Sequence, residues 1–576
     1  MTLRGRVLIG ALVVGGVLVL PAAASAHAVL LRTDPLPSRV VSTPPAQVAL
    51  TYSEAVEPRF AIVSVTDAAG RQQTAGTPRR SRVNADELDV PLQRLTQGWY
   101  LVYWRVISAD GHPVRGAFTF AVGPNAGPAP QFVIPSLNES AATPKLVVAR
   151  WVTFLSLMIA VGLFVMRMFI ARPVVRRVKD ASLAPLSVAF GLALAVALVA
   201  TSIYLELSTA LFSRRSFFDL GDVVPVLRDS SFGRSYVDLE LILVLFAIAS
   251  VVALAIDRPE RKQRSIAELL ALDGALVAAG AVLFVPTLAG HAAQTSPRGL
   301  ALVLDWVHLA GGSIWIGGLV GLLVLWVTLG SGRRVPGLHV VVPRFSPVAF
   351  VSVLLVIASG TWAAVLHLPT LSSLWNTSYG QALMVKVALL GAAMLLASGN
   401  VIRTVPRLKA ADREPAPAEG AAKLLRVLVS AEAVLVAGVI LAAAVLTSLA
   451  PPSKALASIG AGTVRVGPGP VVKVVTQQGY RLEFHVSPNR AAVPNGFAVR
   501  ITKNGAPVRN ADVTTTFAML DMEMGTQGYK LPEVAPGLYR SSLPALVMVG
   551  HWGLTYDIRP PGGPRLAVQV VDRANG

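Results

Sequence analysis

The sequence predicts a membrane protein of three parts. An all-β sandwich comes first, a bundle of eight transmembrane helices follows, and a second, Ig-like β-sandwich ends the chain. Three observations predict this. Of the 576 residues, 53% are hydrophobic and the mean hydropathy is +0.59, too apolar for a soluble chain of that length. Within residues 145–450 eight apolar runs are long enough to cross a bilayer. On either side, residues 27–123 and 464–576 break into short β-branched and aromatic runs separated by turn residues.

The elements follow in chain order. Arg4 and Arg6 precede an apolar run from Val7 to Leu20, then Pro21 and Ala24-Ser25-Ala26. This reads as a secretory signal over residues 1–26 with an A-x-A cleavage site. Cleavage after Ala26 makes His27 the new N-terminus. Its amine and imidazole together can chelate one metal ion, a geometry that suits Cu(II). The first sandwich is predicted from the runs Gln47–Ser53, Phe60–Thr66, Gly98–Val106 and Gly116–Val122. Residues 124–144, rich in Pro, Gly, Ala, Ser and Asn, read as a linker.

The eight spans are placed at 146–170, 181–211, 236–256, 266–290, 300–330, 346–366, 380–402 and 425–449. A secreted first domain makes the first span run inward. The loops then expected inside carry seventeen Lys and Arg residues against five in the outer loops, as the positive-inside rule requires. Eight spans return the C-terminus to the outside, so both sandwiches are expected on the extracytoplasmic face of the plasma membrane. The second sandwich is predicted from the runs Val471–Val475, Arg481–Val486, Phe497–Thr502, Val513–Phe517 and Ala567–Val571. Lys503-Asn504-Gly505 marks a hairpin between two such runs.

Composition excludes several functions. There is no cysteine, so disulfides, thiolate metal sites and thiol nucleophiles are ruled out. The net charge of +19 lies largely in short loops between spans, which argues for a membrane partner and against nucleic acid. No Gly-x-x-x-x-Gly-Lys motif occurs, which argues against ATP-driven pumping by this chain. No nucleotide-binding or hydrolase motif points to an enzyme.

Three constellations carry chemistry. Asp110 and His112, flanked by Gly111 and Pro113, project to one side of an extended segment and could complete a Cu(II) site begun by His27. Asp305 and His308 are three apart and share a helix face inside an apolar span. Ionisable groups there usually face a cavity or a partner. With His291, His367 and Glu206 they all fall in the outer half of the bilayer or at its edge, which suggests a membrane copper route. His339 falls on an expected inner loop and is read as bland. Met522 and Met524 flank Glu523, and His551 follows Met548 by three. Soft thioethers select Cu(I), so these four form a candidate Cu(I) site, although methionine also fills sandwich cores.

These motifs resemble known families. His27-Ala28, Thr33-Asp34-Pro35, Tyr52-Ser53-Glu54 and Trp104–Pro113 are similar to the copper-resistance protein CopC. The resemblance implies a Greek-key sandwich that carries Cu(II) on His27, Asp110 and His112, with Glu54 near a further acidic position. The domain has no methionine, so the Met-rich Cu(I) site of some members is not expected. Gly290-His291-Ala292, Trp306–Leu319, Arg344–Pro347, Ser359-Gly360 and Tyr379–Lys386 resemble CopD, whose members are associated with copper uptake. Asp521–Gly525, Gly537–Tyr539 and Met548–Trp552 resemble YtkA/FixH-like domains.

The expected function is copper transport across the cytoplasmic membrane, with import implied by the CopD resemblance. Cu(II) would be captured by the N-terminal domain and passed to the membrane domain, with other copper chaperones or a reductase as candidate partners. A tether of about twenty residues would keep the binding domain concentrated near the membrane. Two other classes stay open. Histidines on neighbouring helices can ligate haem, as in a membrane cytochrome, and an N-terminal histidine with a second one also occurs in copper-dependent redox enzymes.

Overall fold

A computed structural model describes the chain apart from residues 1–27, 29, 38, 53–54, 109–112, 125–142, 290–296, 411–414, 450–451, 453–462, 492, 522–525, 544, 548 and 576. The segment read as a secretory signal and most of the expected linker thus lie outside the described residues.

The N-terminal domain has strands β1 (Leu30–Asp34), β2 (Val40–Val41), β3 (Gln47–Tyr52), β4 (Ile62–Asp67), β5 (Arg79–Arg80), β6 (Glu87–Pro91), β7 (Gly98–Ile107) and β8 (Pro113–Val122). They form two four-stranded sheets, ordered β1-β3-β6-β5 and β2-β8-β7-β4. Alternate residues point inward: Val48, Leu50 and Tyr52 from β3, Leu88 and Val90 from β6, and Tyr100, Val102, Trp104 and Val106 from β7 meet in one core. Tyr52 and Trp104 pack edge to face with centroids 5.7 Å apart. Gly116 of β8 makes room for this indole, since a Cβ there would lie 2.7 Å from Trp104 Cζ2. Strand β4 starts two residues later than the sequence suggests. Pro58–Phe60 forms a 3₁₀ turn capped by the Glu57 side chain, and proline favours that first-turn position.

Eight helices are long and apolar enough to cross a membrane among the described residues. They are α1 (Pro144–Val165), α2 (Ala184–Ser213), α3 (Ser231–Ile256), α4 (Ile266–Ala289), α5 (Arg298–Thr328), α6 (Ser331–His367), α7 (Ser378–Gly399) and α8 (Pro415–Leu446). Helix α5 is central and contacts α1, α2, α4 and α8. Small residues let it approach its neighbours closely. A Cβ on Gly162 of α1 would sit 1.9 Å from the Ser313 carbonyl oxygen of α5, and one on Gly317 would sit 2.3 Å from Gly162 Cα. Gly311 meets the Ser352 carbonyl and Val356 of α6, and Gly318 meets the Phe345 ring.

Helix α6 corrects one expectation. Residues 331–345 were expected in a loop because they carry Arg333, Arg334 and Arg344 with Pro336 and Pro343. They form the first four turns of α6 instead. Arg334 lies over the Trp326 ring, 4.3 Å from its centroid, and donates to the Trp326 carbonyl. His339, read as a loop residue, lies in this helix, with Nδ1 2.6 Å from the Leu408 carbonyl oxygen. Tertiary contacts of this kind offset the lost proline hydrogen bonds.

A buried ion cluster ties the ends of α1, α3 and α4. Asp257, just past α3, pairs with Arg167, with Arg172 at 3.0 Å and with Arg264 at 3.8 Å. Arg172 also donates to the carbonyls of Arg258 and Arg261 and lies 3.7 Å from Glu268 in the first turn of α4.

The C-terminal domain holds β9 (Val464–Val466), β10 (Val471–Gln477), β11 (Tyr480–Ser487), β12 (Asn495–Lys503), β13 (Ala506–Pro507), β14 (Asp512–Met519), β15 (Gln527–Lys530), β16 (Glu533–Ala535), β17 (Leu538–Leu543), β18 (Gly550–Arg559) and β19 (Leu566–Ala574). One sheet runs β10-β11-β12-β17-β16 with β13 on β12, and the other runs β15-β14-β18-β19-β9. Their inner faces share one core, with Phe497 against Phe517 at 4.7 Å and Phe484 against Tyr556 at 4.6 Å. The expected hairpin forms at Asn504-Gly505, both with positive φ, and pairs Lys503 with Ala506.

Candidate functional site

In the N-terminal domain, His27, Glu54, Asp110 and His112 lie outside the described residues. Their described neighbours are well anchored. Ala28, Tyr52, Trp104, Val106 and Val114 belong to one buried cluster. Leu30 pairs with Tyr52 across β1 and β3, and Ile107 pairs with Pro113 where β7 turns into β8. Burial raises the Tyr52 phenol well above its usual pKa, which keeps it neutral in this core.

In the membrane bundle, Asp305 and His308 both lie on α5. His308 Nδ1 lies 3.0 Å from the Ser359 hydroxyl of α6. Ser359 donates its O–H to the Leu355 carbonyl, so its lone pairs suit an Nδ1–H donor. Gly360 follows, and a Cβ there would come within 3.1 Å of His308 Cε1. This glycine therefore leaves room for the imidazole against α6. Trp306 Nε1 donates to the Gly280 carbonyl of α4 at 2.9 Å, which fixes the rotation of α5 beside Asp305.

The structure adds residues that sequence reasoning passed over. Lys386 of α7 interacts electrostatically with both Asp305 and His308, and Tyr379 at the start of α7 interacts with Asp305. Lys386 appeared in the sequence only as the end of a CopD-like motif. Its lone positive charge within an apolar run was the available signal. His308 and Ser359 thus join α5 to α6, with Asp305 one helical turn away on α5 and Lys386 of α7 acting on both ionisable groups at longer range. A carboxylate and an imidazole can bind a cation there, with an ammonium as the resident counter-charge.

The other expected residues are more scattered. His367 ends α6, seven residues beyond Gly360, about 10 Å along a helix axis. Glu206 of α2 is 8% exposed, and its Oε1 has no hydrogen-bond partner. No hydrogen bond or ion pair among the described residues joins it to Asp305 or His308. His291 lies outside the described residues. Among those described, no group of three or more His, Asp or Glu side chains is arranged to hold a metal ion.

In the C-terminal domain, Met522, Met524 and Met548 also lie outside the described residues. His551 is described, and it is clamped to Asp521. The carboxylate accepts the His551 backbone N–H at 2.8 Å and lies 3.0 Å from Nδ1. Leu520 N–H donates to the His551 carbonyl. This clamp joins the strand ends from which the methionine-bearing segments depart. Met519 is buried in the core, as gap-filling methionine commonly is.

Known proteins match this chain in the same order. Residues 30–123 match the CopC domain, 141–300 the N-terminal domain of copper resistance protein D-like proteins, 339–446 copper resistance protein D, and 475–557 the YtkA-like family. Copper transport protein CutJ of Bacillus subtilis (strain 168) is 26% identical over 93% of this chain and 95% of its own. Copper resistance protein C of Xanthomonas campestris pv. juglandis is 31% identical, over 18% of this chain and 84% of its own. The crystal structure of CopC from Methylosinus trichosporium OB3b is 30% identical, covering 18% of this chain and 98% of that one, with a TM-score of 0.16. The chain thus carries CopC, CopD and YtkA-like domains in order in one polypeptide, and it belongs to the copper resistance family.

Proposed function

We propose that this protein imports copper across the cytoplasmic membrane, with both β-domains on the outer side. The N-terminal domain captures Cu(II) on His27, Asp110 and His112, with Glu54 close by. The ion passes to the Asp305–His308 cluster, with His291, His367 and Glu206 along the outer approach. Reduction to Cu(I) takes one electron from a partner reductase. Met522, Met524, Met548 and His551 offer soft ligands for the reduced ion.

The observation that carries this reading is the cluster of Asp305, His308, Ser359 and Lys386. An ionised carboxylate inside a bilayer needs a counter-charge. Lys386 supplies one at longer range than an ion pair, which leaves Asp305 open to an arriving copper ion while His308 adds a nitrogen ligand. In a family that handles copper, these groups support a cation site on a membrane path.

The test is cellular copper content in a strain lacking the protein, with either wild-type or His308→Ala protein restored. Wild-type protein raises copper and the variant does not. Unchanged or higher copper in the deletion strain overturns import.

A further inference from the structure

Two turns beyond His308 on α5, about 10 Å along the axis, Trp315 donates its indole N–H to Oε1 of Glu432 on α8 at 2.8 Å. Asn400, in the π-helical turn Asn400–Thr404 that follows α7, reaches the other carboxylate oxygen at 3.4 Å. The Thr404 hydroxyl donates to the Asn400 backbone carbonyl at 2.8 Å and lies 3.3 Å from its side-chain oxygen. The cluster is buried: Glu432 is 3% exposed, Trp315 2% and Thr404 0%. Glu432 sits near the midpoint of α8.

Among the described residues no cation balances this carboxylate. Among the described residues only Trp315 and Asn400 act on it, and both are neutral. The charged groups on the surrounding elements are engaged or directed elsewhere. On α5, Asp305 and His308 face Lys386 of α7. On α1, Arg150 is held by Tyr204 and Ser448. Arg403, Arg407 and Lys409, beyond α7, are exposed. On α8 itself, Glu419 and Lys423 are exposed and Arg426 lies over the Trp326 ring.

An ionised carboxylate buried without a counter-charge is strongly disfavoured, and such a group takes up a proton instead. The cluster accommodates both states. The Asn400 amide can donate to a carboxylate oxygen or, turned over, accept from a carboxyl O–H. Trp315 donates to Oε1 in either case.

We propose that Glu432 is a proton-binding site in the membrane domain, and that its proton is exchanged as copper passes. With no metal ion nearby, the carboxyl keeps its proton. As a monovalent copper ion moves along α5, the O–H bond breaks, the proton leaves to water, and the carboxylate balances the positive charge. When the ion departs, a proton from water restores the carboxyl. The coupling rests on the copper-transport reading above, whereas the proton site itself does not.

The test uses the full-length protein in lipid vesicles. Infrared difference spectra between acid and alkaline buffer show a protonated-carboxyl band in the wild type that is lost in Glu432→Gln. In Trp315→Phe the band shifts in frequency, because its hydrogen bond is gone. Copper flux in wild-type vesicles responds to an imposed pH gradient, and this response is lost in Glu432→Gln. A band that persists unchanged in Glu432→Gln overturns the proton site. Copper flux with the same pH response in wild type and Glu432→Gln overturns the coupling. If wild-type vesicles move no copper while the band follows Glu432, the transport reading fails and the proton site stands. Should Glu432→Gln fail to fold, Trp315→Phe decides: an unshifted band overturns the assignment.

Discussion

Replacing Gly162 by alanine tests what holds the site helix in place. The new Cβ would lie 1.9 Å from the Ser313 carbonyl oxygen, where ordinary contacts begin at 3.4 Å. The obstacle is backbone, so no side chain can swing aside. Helices α1 and α5 must part by roughly 1.5 Å to restore normal contact. That gap weakens the rest of the same interface, where the space above Gly312 is filled by Met158 and that above Gly321 by Met166. Overpacking of this kind costs about 1–3 kcal/mol, although alanine favours the helix itself by up to about 1 kcal/mol. Gly191→Ala is the control, because nothing lies within 4 Å of a Cβ there. Unfolding of the full-length protein by a denaturing detergent in mixed micelles reads the difference. Gly162→Ala should unfold at lower detergent than wild type, and Gly191→Ala at equal or higher detergent. Equal midpoints for the two variants would refute the view that backbone contact at Gly162 seats α5.

Two further outcomes follow from the ion cluster and the N-terminus. Asp257→Asn leaves Arg167, Arg172 and Arg264 without the carboxylate they share. Breaking a buried charge network of this kind costs about 3–5 kcal/mol, so the same detergent assay should show a larger loss than for Gly162→Ala, and a wild-type midpoint would show that the cluster carries no net stability. On the proposed reading, with His27 at the mature N-terminus, adding one residue ahead of it removes the proposed amine–imidazole chelate and should weaken Cu(II) binding in a direct titration. An unchanged affinity would exclude the terminal amine as a ligand.

The spans were readable in the sequence because twenty or so consecutive apolar residues have few other uses. The start of α6 was not. Pro336, Pro343 and three arginines argue locally for a loop, and the contacts that override them lie far away in sequence, at Trp326 and Leu408. The strands of both β-domains were visible wherever β-branched residues alternate. Those missed, such as β1 and β6, take their pairing from β3 and have weaker patterns of their own.

The membrane cluster divides in the same way. Asp305 and His308 could be read together because three-residue spacing on one helix guarantees a shared face. Lys386 and Glu432 lie on other helices, and no local rule says which face of α7 or α8 meets α5. That choice is made by packing: Gly162 and Gly317 bring α1 against α5, while Gly311 and Gly318 admit α6 with Ser352 and Phe345. These glycines look interchangeable with the many others in the spans until the neighbouring backbone is known. Seated this way, α5 turns His308 toward Ser359 and Trp315 toward Glu432. The close-packing glycines are therefore part of what builds the polar clusters, and a Cβ at Gly162 should disturb His308 and Trp315 together even though it touches neither.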